Sequence, residues 1–388
     1  MDRKTKERTA PIASVGADAG QPYPKHSITS IPAIAEEIND ETENLDDNFD
    51  MLEETIRRMQ DPAYLPTITM QELFENIYQS KPPVIQGLLH TGAYLLAGAP
   101  KIGKSFLVAQ IAYHVSTGQP LWGYEVHQGT VLYLALEDVH QRLQERMYRM
   151  FGVEGTDQLH FAVWAKQLGR GLDEQLERFV VEHPDTQLII IDTLQKVREL
   201  GGEAYSYADD YQVMGRLKLV ADRKNICLLV VHHTRKTPSG DKFEMISGTT
   251  GILGCADGAL ILQKEKRTDQ TALLDVVGRD QPDQRLFLVR DQERLIWNLD
   301  HADQELWRAP PDPLLQQIAS LLTEERPRWQ GSATELCREL QLDLPSNGLT
   351  KRLNVKAGEL SRTYGIRYEH GHSRTGSKIV LTKLEMTT

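Results

Sequence analysis

The chain has 388 residues, 40% of them apolar, and its three cysteines, Cys227, Cys255 and Cys337, stand far apart without metal-ligand spacing. This excludes a small disulfide-stapled scaffold and a zinc site, and it suits a reducing, cytoplasmic setting. The net charge of −11 argues against nucleic acid only until its location is noted: ten acids and no Lys or Arg fall between Glu36 and Glu54, which leaves the remainder nearly neutral and free to carry local basic surface.

Residues 1–62 have little periodic apolar content to offset the entropy of ordering, and they read as a mostly disordered acidic arm with a short amphipathic helix around Asp50 to Met59. Such an arm suits binding of a replication partner or mimicry of DNA, or serves only as solvated chain. No apolar run reaches membrane-spanning length, and the first 30 residues lack the apolar segment of a signal peptide.

Residues 63–308 alternate short apolar runs with amphipathic stretches of helical length. The runs 93–97, 131–136, 160–164, 188–191 and 227–231 predict buried parallel strands. The stretches 104–116, 139–151, 173–181 and 205–224 predict the helices between them, an alternation expected of a doubly wound α/β sheet. Four further runs, 259–263, 272–277, 285–289 and 294–298, predict an antiparallel extension, so the fold class is α/β with a mixed, mainly parallel sheet. A Pro-rich hinge at 309–313 then opens a tail, 309–388, whose pattern of three helices and a hairpin is that of a winged helix.

Within the first of these units, Gly98-Ala-Pro-Lys-Ile-Gly-Lys-Ser105 matches the phosphate-binding loop G-x-x-x-x-G-K-[ST] between a predicted strand and a predicted helix. Glycines let successive N–H groups point at phosphate oxygens, and the helix N-terminus adds a favourable dipole. The candidate nucleotide-binding residues are therefore Gly98, Ala99, Pro100, Lys101, Ile102, Gly103, Lys104, Ser105 and the following Phe106, with Lys104 reaching the β and γ phosphates of ATP and Ser105 ligating Mg2+.

A second metal ligand is expected at the end of a buried strand, and Asp192 closes the run 188–191. Thr193 follows it, not a glutamate, so a hydrolytic base has to come from another strand. Glu137, at the end of Leu-Ala-Leu-Glu137-Asp138, is the candidate, with Asp138 in reserve; the alternative is a surface acid opening the next helix. His233, in His232-His233-Thr-Arg-Lys236, is placed to sense the γ-phosphate, or is a structural histidine. The polar, mildly basic stretch 236–250, with Lys236 and Lys242, suits a loop that tracks a nucleic-acid backbone, or an ordinary connection. Arg279, in Gly-Arg-Asp280, is a candidate arginine finger toward a neighbouring subunit, or the partner of a nearby acid.

In the tail, Ser332-Ala-Thr-Glu335 predicts a capping box, and a longer helix opens at Pro345-Ser346. Seven basic residues between Lys351 and Lys378 stand against two acids. Asn347, Thr350, Lys351 and Asn354 are expected to face a DNA groove, with Arg374 and Lys378 at the wing; protein docking is the other use of such a module.

With these residues placed, the chain resembles the RepA-like hexameric helicases, a branch of the RecA-type AAA family ATPases of plasmids, phages and other mobile elements. The likeness covers Leu65 to Trp297 and rests on GAPKIGKS, LALED, LIIIDT, VVHHTRK, SGTTG and GRD. It implies a RecA-like core, a six-membered homo-oligomeric ring with ATP between subunits, and DNA-dependent hydrolysis with Lys104, Ser105, Glu137, Asp192, His233 and Arg279 in the roles given above. An ATP-gated DNA-binding regulator or loader shares every motif without translocating, and a small-molecule kinase uses the same phosphate loop.

Overall fold

The runs at 93–97 and 188–191 contain no charged residue, so the strands they form need cover on both faces. In the computed structural model they are central strands of a sheet that has nine strands among the described residues, side by side in the order 159–162, 130–135, 186–192, 227–233, 92–98, 258–263, 271–278, 281–290 and 297–302. The structure describes residues 57, 61–78, 81–198, 207–233, 250–266, 268–279, 281–303, 311–373 and 376–384. The acidic run, the expected helix at 50–59 apart from Arg57, the stretch 236–249 with Lys236 and Lys242, and Arg374 lie outside them.

A short helix α1 (Met70–Glu75) precedes the sheet. The first six strands, β1 (Gly92–Gly98), β2 (Thr130–Ala135), β3 (Leu159–Ala162), β4 (Thr186–Asp192), β5 (Cys227–His233) and β6 (Gly258–Gln263), pair in parallel. Their helices are α2 (Lys104–Thr117), α3 (His140–Phe151), α4 (Leu172–Glu182), α5 (Leu194–Val197), α6 (Tyr207–Lys224) and α7 (Thr250–Cys255). Side chains alternate along β1: Tyr94 and Leu96 join one core with Leu107 and Ile111 of α2, while Ala93, Leu95 and Ala97 join the other with Met214 and Leu217 of α6. That two-sided burial is why these strands read as continuous apolar runs.

Beyond β6 the pairing turns antiparallel through β7 (Thr271–Gly278), β8 (Gln281–Arg290) and β9 (Trp297–Ala302). Two expectations are corrected here. The last strand is not 294–298 but begins at Trp297, because Leu295 holds a left-handed φ of 60° and Arg294 bonds Met150 O from the turn before it. The third strand stops at Ala162, short of 164, and Trp164 is exposed. Trp297 is fully buried, and the Gln110 amide makes reciprocal bonds to its main-chain N and O, each 2.8 Å, which tie β9 to α2.

The tail consists of α8 (Pro313–Leu321), β10 (Arg328–Gly331), α9 (Ala333–Glu339), α10 (Ser346–Tyr364), β11 (Ile366–Ser373) and β12 (Gly376–Lys383) around their own core, with a separate sheet of order β10-β12-β11. The capping box forms as expected: Ser332 Oγ accepts from Glu335 N, and the Glu335 carboxylate accepts from Ser332 N at 2.7 Å. Strand β10 was not anticipated, since four residues carry too short a pattern.

Candidate nucleotide-binding site

Parallel pairing sets the carboxyl ends of β1, β2, β4 and β5 along one edge. Gly98 stands opposite His233, and Asp192 stands opposite Ala135 on one side and Val231 on the other. Ligands of open α/β sheets bind outside this edge. The loop after β1 turns sharply there: Lys101 and Gly103 take φ of 65° and 107°, and Gly103 then leads into α2. A Cβ on Gly98 would meet Leu262 O at 2.6 Å, so glycine is required by close approach as well as by the turn.

Lys104 is almost fully buried. Its Nζ donates to Gly98 O at 2.7 Å and Ala99 O at 3.0 Å, and meets His233 Nδ1 at 2.9 Å. Burial pulls the ammonium down to about 8, while Asp192 and Glu137 hold it up. Burial and then Lys104 lower His233, so its imidazole is neutral near pH 7 and Nδ1 accepts from the ammonium. Asp192 is 6% exposed and raised by burial, against hydrogen bonds from Ser105 and from Tyr133, whose hydroxyl lies 3.0 Å from Oδ2. A carboxylate buried beside a hydroxyl suits a small hard cation that takes its other ligands from phosphate and water. Among the described residues no cluster of three His, Cys, Asp or Glu forms, which such a cation does not need.

Glu137 is exposed at the cleft, and Thr193 Oγ1 donates to its Oε1 at 3.4 Å. Asp138 instead pairs with Arg142 at 3.0 Å and Arg146 at 2.7 Å, so of the two acids Glu137 is the one turned to the cleft. The cleft has a volume of about 470 Å³, within the usual range for small-ligand sites. Pro100, Lys101, Gly103, Lys104, Ser105 and Phe106 form one wall and Glu137, Asp192 and His233 another. Ile102 is in the hydrophobic core, so its side chain does not serve the cleft.

Two lining residues escaped sequence reasoning. The guanidiniums of Arg146 and Arg290 lie 5.1 and 4.5 Å from the Phe106 ring centroid, and Arg146 Nη1 and Arg290 Nε are buried donors without an acceptor among the described residues. Orphaned cationic donors beside a phosphate loop fit an anionic ligand. The position of Arg146, nine residues after Glu137 on α3, was a usable signal; that of Arg290 was not, because only sheet pairing brings the end of β8 to this edge.

Arg279 is elsewhere. Gly278 pairs with Gly258 at the start of β6, the opposite edge of the sheet, and the Arg279 guanidinium lies 3.5 Å from Asp257, which also binds Lys218. It does not reach the cleft of its own chain. In the tail, Lys378 is exposed, while Thr350 donates to Ser346 O within its own helix and Lys351 donates to Gln71. Asn354, expected to face a groove, is covered in this structure: it is 1% exposed, donating to Phe74 O and Glu75 O and accepting from the Tyr368 hydroxyl. Arg352, Lys356 and Arg367 are in ion pairs with Asp312, Glu359 and Glu369.

The sheet and this site form a phosphate-loop nucleotide-binding site of the α/β class. Residues 59–239, just under half the chain, match the family model described as AAA domain. A solved structure titled as an ATPase domain aligns at 13% identity and a TM-score of 0.47, over 67% of this chain and 99% of that one. A structure titled as a DnaB-like replicative helicase and its interactions with primase aligns at 13% identity and 0.46, over 65% of this chain and 71% of that one. No curated protein matches the chain in sequence.

Proposed function

We propose that the protein is a DNA-binding ATP-hydrolysing motor of RecA-like fold, a ring-forming replicative helicase of a mobile element, with a domain at 63–308 that carries the ATPase and a winged-helix domain at 309–388. The observation that carries this reading is the convergence of Lys104, Ser105, Glu137, Asp192 and His233 on one cleft from the ends of four adjacent strands. In it Lys104 and the loop amides hold the triphosphate, Ser105 and Asp192 hold Mg2+, and Arg146 and Arg290 meet anionic charge from the far wall. Glu137 orients the attacking water, and His233, bonded to Lys104, reports the state of the γ-phosphate to the residues after β5.

Arg279 completes the site of a neighbouring subunit in this reading, since it lies far from its own. The winged-helix assignment is supported by the order helix, strand, helix, helix, hairpin. The acidic arm, 1–62, is available to a replication partner. A second reading, an ATP-gated DNA-binding regulator that does not translocate, draws on the contacts over Asn354 and Lys351, because a partly covered tail helix suits a switch.

ATP turnover with and without single-stranded DNA, solution mass, and strand displacement on a forked duplex test the proposal together. Stimulated turnover, a ring-sized mass and displacement are expected. Normal turnover with no displacement at any salt concentration overturns the motor and favours the regulator.

A further inference from the structure

Helix α10 turns Leu349, Leu353, Ala357 and Leu360 into the tail core. The adjoining face is met by the segment 69–77 at Lys351 and Asn354. Phe74 lines an open groove together with Lys351, Arg352, Val355 and Lys356, and Ile77 packs on the edge of the tail core. The polar contacts are specific. Asn354 Nδ2 donates to Phe74 O at 3.0 Å and Glu75 O at 2.9 Å, at the carboxyl end of α1, and Lys351 Nζ donates to Gln71 Oε1 at 2.7 Å.

Every one of these contacts has the tail donating and the segment accepting. The carboxyl end of a helix carries partial negative charge and carbonyls without intrahelical partners, and Glu72 and Glu75 add acids to the same short element. The side-chain amide oxygen of Gln71 and the carbonyls of Phe74 and Glu75 offer Lys351 and Asn354 what a duplex offers, an acceptor oxygen to a lysine and paired acceptors to an asparagine. The segment is also lightly held. No residue of α1 is fully buried, Met70 and Leu73 are exposed, and six residues are too few for a helix to persist without docking.

We propose that residues 69–77 are an autoinhibitory strap over the duplex-binding face of α10, and that duplex DNA competes with the strap for Lys351 and Asn354. The proposal rests on the reading of the tail as a DNA-binding winged helix. The strap leads in sequence toward residues 84–89, where Gln86 N donates to Glu125 O and His127 N donates to Val84 O, so it stays tethered beside the sheet when it leaves α10. Asn354 trades two carbonyl acceptors for DNA acceptors, which leaves no buried donor unsatisfied in either state.

Anisotropy of a labelled duplex, titrated with the full chain at fixed salt, tests this. Gln71→Ala with Phe74→Ala should tighten duplex binding about tenfold, as expected if the face is open in roughly one molecule in ten, with ATP turnover unchanged. Adding Lys351→Ala and Lys378→Ala should remove the gain. Equal affinity of the wild-type and strap-weakened chains, where the lysine substitutions weaken both, overturns the strap and leaves the DNA-binding reading standing. Lysine substitutions that change nothing overturn the DNA-binding reading and the strap with it. Hydrogen exchange on the unmodified chain gives an independent check: saturating duplex should speed exchange in 69–77 and slow it in α10, and unaltered exchange in 69–77 overturns the competition.

Discussion

Glu137 and Asp192 are both acids at strand ends, yet their surroundings separate their tasks. Asp192 is enclosed by Ser105, Tyr133 and Lys104, and burial raises its pKa, which is the situation a bound cation relieves. Glu137 stands at the cleft, where among the described residues its carboxylate has a long contact from Thr193, an arrangement that suits the water-orienting role proposed for it. Glu137→Gln is therefore expected to slow hydrolysis about 10²- to 10⁴-fold while nucleotide still binds, the usual worth of a positioned base. Single-turnover hydrolysis set beside titration with a fluorescent nucleotide reads the two effects apart, and normal hydrolysis would place the base elsewhere. Much of this set was legible because the phosphate loop is a contiguous string whose flanking strand and helix identify it. Tyr133 was not legible, because nothing in a strand's sequence says that its ring spans to the neighbouring strand's last carboxylate.

Among the elements, the boundary between α2 and the antiparallel extension decides how firmly the phosphate loop is held. Trp297 fills the space beside Gly103: a Cβ there would come within 3.0 Å of the indole, and Nε1 lies 3.4 Å from Gly103 O. Gln110 fixes the Trp297 backbone from the next turns of α2. Trp297→Ala is expected to cost about 3 to 5 kcal/mol in denaturant unfolding and to weaken nucleotide binding, since it empties the support behind the loop. A loss of stability with unchanged nucleotide affinity would show that the loop holds its shape alone. The strand containing this residue was expected to start too early, at 294, because the apolar run 294–298 contains no sign that Leu295 adopts a left-handed turn. Helix α1 also went unread: its six residues are short, and what holds it is a surface some 280 positions away.

For the molecule as a whole, the position of Arg279 bears on assembly. It sits at the sheet edge opposite its own cleft, salt-bridged to Asp257 and more than half exposed, so any part it plays in hydrolysis is toward another copy. Mixing Arg279→Ala chains with Lys104→Ala chains is expected to restore turnover that each lacks alone, because some mixed interfaces pair an intact loop with an intact arginine. Mixtures no more active than their components would show that the site is not shared.

Composition and local pattern were enough to establish the alternation of strands and helices, the phosphate loop, the carboxylate at the end of the fourth strand, and the capping box of the tail, because each depends on neighbours a few residues apart. The strand order that brings Arg290 to the cleft, the ring of Tyr133 against Asp192, and the cover that α1 lays over Asn354 were decided only by packing. Asn354 makes the distinction concrete. As a polar residue on a basic helix it reads as a surface contact, but its periodicity cannot report a carbonyl pair brought from the far side of the chain. Contacts that close over hundreds of residues leave no local trace, since neither partner's neighbours in the chain need change to make them.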